Sequence, residues 1–373
     1  MNSRWQGLNI RYCLSRVKNR GYGLGNELLP WARAFLASQV LNARLLPPAF
    51  GMNRRAYWWH FHTAPDDWIY HRALEYLLPV VEFTESDYLA HGGGDVVTAL
   101  EGFAAARQLR QRRAYLLVTE GLWGGYHHVE AAREFIRCTL YQSRYAARNL
   151  LQLRHRIDPH KVLVGMHVRL GDFSAPGATV DYHRASNISL PIEWLYALAG
   201  SLDRALGDGW QLLLITDGTE EQLRPLTSRW PCITTNDLAP GDCSDVLALA
   251  SADLLVCSVS SFSTLAAFMS DSPYLWFMPN LYQHPQGVYS QGDYDAQRDK
   301  PGNPTGTALQ RLATAPAQLL SRGVGVDLDG EIPAAVIQAA VLRHQSRLWE
   351  SDLVRGGVVR AGAVNAAPRP PTA

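Results

Sequence analysis

Residues 162–168 read VLVGMHV, and the five that follow read RLGDF. Six apolar or small residues broken only by His167 fit a strand buried on both faces, the habit of parallel sheets covered by helices. The run ends in His167, Arg169, Gly171 and Asp172, so these residues are expected at the strand's carboxyl end. The same rhythm continues downstream. Strands are expected at QLLLITD (211–217), CITT (232–235), LLVCS (254–258) and YLWFM (274–278). Helices are expected near 191–206, over EEQLRPL, over DVLALASA and after Ser261. Such alternation makes a doubly wound α/β domain, whose ligands sit beyond the carboxyl ends of its strands. His167 to Asp172, Asp217, and Ser258 to Ser263 fall at three such ends.

Upstream, ELLPWARAFLASQVLNARLL (27–46) has helical periodicity and follows the glycine-rich GYGLGN (21–26). No clear strand is read before those glycines, and their spacing does not match the dinucleotide fingerprint. An aromatic segment, AYWWHFHTAPDDWIY (56–70), a glycine loop, HGGGD (91–95), and a buried strand, AYLLVTEG (114–121), come next. A helix is expected over about 130–157. At 373 residues the chain exceeds what one core usually organises. The change of rhythm divides it into domains at 1–157 and 158–355, with an Ala-, Gly- and Pro-rich tail at 356–373 expected to be disordered.

Lys plus Arg (35) nearly balances Asp plus Glu (34), and no basic run is long enough to track a polyphosphate backbone, so a nucleic-acid partner is not expected. The five cysteines are scattered, without metal-ligand spacing, as in a reduced cytosolic protein. The start, MNSRWQGLNIRYCLSR, lacks the apolar centre of a signal peptide, and no apolar run has the length of a membrane span. The expectation is a cytoplasmic protein, free or peripheral at a membrane, with no transmembrane segment.

An arginine at a strand's carboxyl end can hold two oxygens of a phosphate with its fixed fork. The alternative for Arg169 is a salt bridge to Asp172. In SVSSFSTLAAF (258–268) a strand, a serine-rich turn and a small-residue helix would aim backbone amides and hydroxyls at one anion. Helix capping needs one of those serines, whereas Ser258, Ser260, Ser261 and Ser263 supply four. Metal readings are open at Asp293-Tyr-Asp295, at Asp327-Leu-Asp329, and among His60, His62, His127 and His128. The tryptophans and glycines near those histidines fit a sugar-contacting or a packed loop better.

HVRLGD (167–172) resembles the HxRxGD motif of the fucosyltransferases that form α1,2 and α1,6 linkages and of the protein O-fucosyltransferases. GYGLGNELLPWARAFLASQVLNARLLPP is similar to their N-terminal glycine segment and helix, ITDG (215–218) to their strand ending in TD, and Asp245–Ala267 to their third motif. The resemblance implies an α/β GT-B glycosyltransferase, two Rossmann-like domains facing across a cleft. The first would be the acceptor side and the second would hold GDP-fucose, with inversion at the fucose carbon and no essential metal or other cofactor. It further implies that Arg169 grips the β-phosphate and that His167 and Asp245 contact guanosine. Ser260, Ser261, Phe262 and Ser263, with Asp217 at the neighbouring strand end, would surround the donor, and Gly23, Gly25 and Asn26 would approach it from the first domain. Many relatives carry a second arginine where this chain has Leu170. Asp172 and Asp181 are the candidate bases, with Glu27 a further carboxylate beside the first motif.

The expected activity is transfer of L-fucose from GDP-fucose to a hydroxyl of a glycan, glycolipid or glycoprotein. The alternatives are a glycosyltransferase using another nucleotide sugar such as GDP-mannose, and a non-catalytic carbohydrate-binding protein on the same scaffold. The aromatic stretches WWHFH (58–62) and GLWGGYHH (121–128) offer faces for sugar rings or for a core.

Overall fold

A computed structural model describes residues 10–16, 22–50, 55–61, 67–121, 123, 125–171, 173–175, 188–258, 260–277 and 322–346. These fall into two compact units, one ending at Ile136 and the other starting at Arg137.

The first unit carries β1 (Ile10–Ser15), α1 (Leu24–Leu41), β2 (Arg44–Leu45), α2 (Trp58–Phe61), α3 (Asp67–Leu77), β3 (Val80–Phe83), α4 (Glu85–Ala90), α5 (Val96–Ala106) and β4 (Ala114–Thr119). Its sheet is parallel, in the order β2-β1-β4-β3. A strand does precede the glycine segment. IRYCLS escapes a search for apolar runs because only Cys13, Leu14 and Ser15 are buried in β1. The helix also starts earlier than expected. Gly23 is its N-cap, so Gly25 and Asn26 lie inside the first turn, and Asn42 ends α1 in the left-handed conformation that asparagine tolerates. Arg33, fully buried in α1, donates to the carbonyls of Trp123 (2.6 Å), Glu120 (3.2 Å) and Gly121, and its guanidinium lies 3.9 Å from the Trp123 ring. Arg33 therefore ties the chain beyond β4 to the helix that covers the sheet.

In place of one helix over 130–157, a 3₁₀ segment (Tyr126–Ala132) runs into α6 (Arg133–Tyr141), and a turn separates that from α7 (Ala146–Arg154). The second unit continues with β5 (Val162–Val168), α8 (Ile192–Leu206), β6 (Trp210–Thr216), α9 (Glu220–Thr227), β7 (Cys232–Thr234), α10 (Asp242–Ser251), β8 (Leu254–Val256), α11 (Ser261–Met269), β9 (Tyr274–Phe277), β10 (Gly323–Val326) and α12 (Ala334–Ser346). The six strands are parallel, in the order β10-β9-β8-β5-β6-β7. β10 was not foreseen, because Gly323 and Gly325 dilute the apolar signal of GVGV. The chain is thus α/β with two parallel sheets.

β5 is the hub, with Val164 in register with Leu212 of β6 and Leu254 of β8, and all seven of its residues are buried. Strands added after β5 run outward through β6 and β7 on one side and through β8, β9 and β10 on the other. The topology therefore reverses between β5 and β8, where doubly wound sheets open a crevice at their carboxyl edge. Among the described residues no helix is long and apolar enough to cross a membrane. The 356–373 tail lies outside the described residues.

Gly165 lets α10 lie close on β5. A Cβ there would come within 2.9 Å of both Ala252 Cβ and Leu249 Cδ1. Gly165→Ala should therefore lower stability by about 1–3 kcal/mol, the usual cost of overpacking, read as a lower urea midpoint with an unchanged slope.

Candidate functional site

At the crevice the backbone leaves β5 through Arg169, Leu170 and Gly171 and is caught by the next strand's terminal carboxylate. Asp217 Oδ1 accepts the amides of Leu170 (2.8 Å) and Gly171 (3.0 Å), and its Oδ2 lies 2.7 Å from Arg169 Nη1. Burial alone would raise this carboxyl. The two amides, with the charge of Arg169, outweigh burial and hold it below the ordinary aspartate range. Asp217 is thus ionised and orients the guanidinium. That geometry also accounts for the glycine of the motif, since a Cβ at Gly171 would lie 2.7 Å from Asp217 Oδ2. Leu170 turns the other way. It packs over Gly218, where an added Cβ would meet Leu170 Cδ1 at 2.5 Å, and against the buried core.

His167 faces across the reversal point. Its Nδ1 is 2.7 Å from Ser263 Oγ and 2.9 Å from Ser258 Oγ, and its ring lies 4.9 Å from the Phe262 ring. Burial, reinforced by the charge of Arg169, drives its pKa to about 3, so the imidazole is neutral at working pH. Ser263 Oγ also accepts the Ser258 amide at 3.0 Å and lies 3.2 Å from Ser258 Oγ.

The serines divide their work differently from the expectation. Ser260 is the N-cap of α11, accepting the Phe262 amide at 3.2 Å. Ser258 and Ser263 serve His167. Ser261, half-buried in the first turn, has no hydroxyl hydrogen bond among the described residues. An anion at this end would meet the amides of the first turn and Ser261, and not a ring of four hydroxyls.

Asp245 lies in the first turn of α10. Its Oδ1 is buried with no hydrogen-bond partner among the described residues. Burial raises the carboxyl to about 7, with Asp242 adding to the rise while the Thr235 side chain opposes it. Gly241 makes room for it, since a Cβ there would lie 2.8 Å from Asp245 Oδ2. One oxygen of this carboxyl is thus buried and left without a hydrogen bond among the described residues.

Other candidates separate from this edge. Gly23, Gly25 and Asn26 belong to the first unit. Glu27 is 3% exposed and accepts the Tyr22 amide, so it braces the glycine segment from within. Asp172, Asp181, His62 and the Asp293–Asp295 pair lie outside the described residues, as does the His127 side chain. The GLWGGYHH stretch contributes to a core. Trp123 is buried among Arg33, Phe83 and Tyr88, Tyr126 bonds the Gly25 carbonyl, and His128 Nδ1 is 2.8 Å from Tyr88 Oη. No group of three metal-binding side chains is seen among the described residues. All five cysteines are free, and burial raises Cys13, Cys243 and Cys257 away from the thiolate form. A separate cavity of about 310 Å³ lies beside β3, lined by Glu82, Asp87, Arg107 and Arg112 among others, and contains none of the motif residues. No protein-family model matches the chain, and no curated protein matches it.

The raised Asp245 carboxyl has a defined sign in stability. Below about pH 4 the group is protonated in both folded and unfolded chains. Between about 4 and 7 only the folded chain keeps the proton, so stability falls as pH rises through that window. Asp245→Asn should therefore be more stable than the parent by at least about 1 kcal/mol at pH 8 and gain little at pH 4, as measured by urea unfolding at the two values.

Proposed function

We propose that the chain is an inverting GT-B glycosyltransferase that moves L-fucose from GDP-fucose to a hydroxyl of a glycan or glycoconjugate. The observation that carries the reading is one sheet edge presenting three different complements to a nucleoside diphosphate. Arg169, aimed by Asp217, supplies the forked cation. The N-terminus of α11 supplies amides and the Ser261 hydroxyl. The buried Asp245 Oδ1 supplies an acceptor for the ring and exocyclic N–H groups that guanine offers along one edge. His167, held neutral, adds a flat ring face. The resemblance of HVRLGD and the two flanking segments to fucosyltransferases points the same way.

In this mechanism the acceptor oxygen forms a bond to the anomeric carbon on the face opposite the departing GDP. The acceptor's proton goes to a carboxylate, for which Asp172 and Asp181 are the candidates. The bond to the β-phosphate oxygen breaks with its electron pair, and the growing charge is met by Arg169 and the α11 amides. Each preorganised donor at such an oxygen is worth on the order of 3 kcal/mol.

Arg169→Ala should bind GDP weakly and turn over roughly 10²–10³-fold more slowly than the parent, with its thermal midpoint nearly intact because Asp217 keeps its two amide bonds. Arg169→Lys should recover little, since a point charge lacks the fork. Calorimetric titration with GDP in EDTA, then with GDP-fucose, is the direct check. Parent-like turnover by either variant removes Arg169 from the chemistry. A parent that binds UDP as well as GDP, or releases no GDP from any donor, overturns the assignment of the donor.

A further inference from the structure

The segment from Thr235 to Gly241 meets the Asp245 carboxyl at both of its ends. Its first residue reaches the carboxyl through the Thr235 side chain, and its last, Gly241, lies against Oδ2 and accepts the Asp245 amide at 2.7 Å. What holds this loop comes from α7, nearly ninety positions earlier in the chain. Asn149 is fully buried. The two hydrogens of its amide nitrogen are shared among the Leu238 carbonyl (2.6 Å), the Pro240 carbonyl (3.1 Å) and Ser244 Oγ (3.0 Å). Ser244 in turn donates to the Gly241 carbonyl at 2.8 Å. The amide oxygen of Asn149 accepts Arg148 Nε (3.1 Å) and Nη2 (2.9 Å), and the same Nη2 reaches the Ala239 carbonyl at 3.3 Å. Three consecutive carbonyls, 238 to 240, are thus gathered by two adjacent side chains of one helix.

A purely structural tether would not need this placement. The loop already has an outer clamp, in which Arg156 holds Asp237 through two bonds of 2.8 and 2.5 Å and reaches the Thr234 carbonyl. That pair is exposed and of the kind that adds little to stability. The inner tether is buried and fully satisfied, and it ends on Ser244, the residue next to Asp245. A buried amide with every bond made fixes geometry far more sharply than a surface ion pair. The residue after Ser244 is the one with an unsatisfied oxygen.

We propose that Asn149 is a specificity-determining positioning residue, which holds the Thr235–Gly241 loop so that the Asp245 carboxyl presents a bare, desolvated oxygen to the edge of a nucleobase. The base-recognition half of this inference rests on the donor reading above, and the coupling of Asn149 to Asp245 does not. With the loop loosened, water reaches the carboxyl and Asp245 titrates nearer its ordinary range. The base then meets a hydrated, mobile acceptor, while the diphosphate end of the site, built on other strands, is unchanged.

The test uses the full chain and three variants, Asn149→Ala, Ser244→Ala and Asp245→Asn, in two measurements. The first is urea stability from pH 4 to 8. The parent should lose stability across the window and Asp245→Asn should not; Asn149→Ala is expected to fall off much less steeply than the parent. A uniform loss at every pH, with the parent's slope kept, would mean that Asn149 only stabilises the fold and overturns the inference. The second is titration with GDP and, separately, with inorganic pyrophosphate. Asn149→Ala should weaken GDP by ~10-fold or more while pyrophosphate binding stays at the parent's level. Equal weakening of both overturns it. A parent that binds no GDP ends the donor reading, and the pH slope still decides whether Asn149 governs Asp245. Should Asn149→Ala fail to fold, Ser244→Ala removes one tether bond and takes its place in both measurements. A parent-like slope and parent-like GDP affinity in that variant count against the inference.

Discussion

One carboxylate sets the working edge of the second unit. Asp217 receives two backbone amides and an arginine from the chain that has just left the neighbouring strand. Each contact constrains the others. The amides keep the carboxylate ionised in a half-buried place, the ionised carboxylate aims the guanidinium, and the room it takes forbids a side chain at Gly171. His167 then sits beside a cation it cannot share a proton with, and burial finishes its neutralisation. The dyad of Arg169 and Asp217 carries little net charge, so on the donor reading its attraction for an anion would come from direction. A fork already pointed pays no reorganisation when phosphate charge develops.

Asp245 is a different kind of element. Its environment opposes its ionised form, and only Thr235 favours it. Groups held against local stability in this way concentrate where binding is done, because a ligand can supply what the fold withholds. Around it the structure is the reverse of loose. Asn149 gathers the loop from inside and Arg156 from outside. Strain at one oxygen is kept by full satisfaction of its surroundings, since a mobile loop would let water in and remove the desolvation that makes the oxygen a strong acceptor.

Most of the second unit was legible in the sequence because its central strands are buried on both faces and read as unbroken apolar runs, as at Val162–Val168 and Trp210–Thr216. The first unit was less so. β1 mixes Arg11 and Tyr12 with its apolar residues, being buried only over its last three positions, and a glycine-diluted strand such as β10 looks like a turn. The segments carrying His167, Arg169, Asp217 and Ser260–Ser263 were marked by their place at strand ends, and Asp245 by the family resemblance alone. The division of labour among the serines was not, because a hydroxyl that caps a helix, one that bonds an imidazole and one left for a ligand are identical as letters. Asn149 was missed although a signal existed. Ala146, Asn149, Leu150 and Leu153 form the buried face of α7, and an asparagine at an apolar-face position can be buried only if its amide is fully bonded elsewhere.

Leu170 shows how the same edge constrains chemistry. The side chain at this position packs over Gly218 and into the core beneath, while its amide bonds Asp217. An arginine there would have to bring a long charged stem over that apolar floor, displacing the contact that seats Gly218 next to the Asp217 carboxylate. With leucine, the position serves the geometry of Arg169 through packing. On the donor reading, phosphate recognition would then fall to one guanidinium and to the helix end beyond β8. Those two groups lie on opposite sides of the reversal point between β5 and β8, and His167, hydrogen-bonded to both Ser258 and Ser263, spans it. A buried imidazole that cannot ionise is suited to that place. It ties the two halves of the crevice together at any working pH without adding a charge that would compete with Arg169 for an anion.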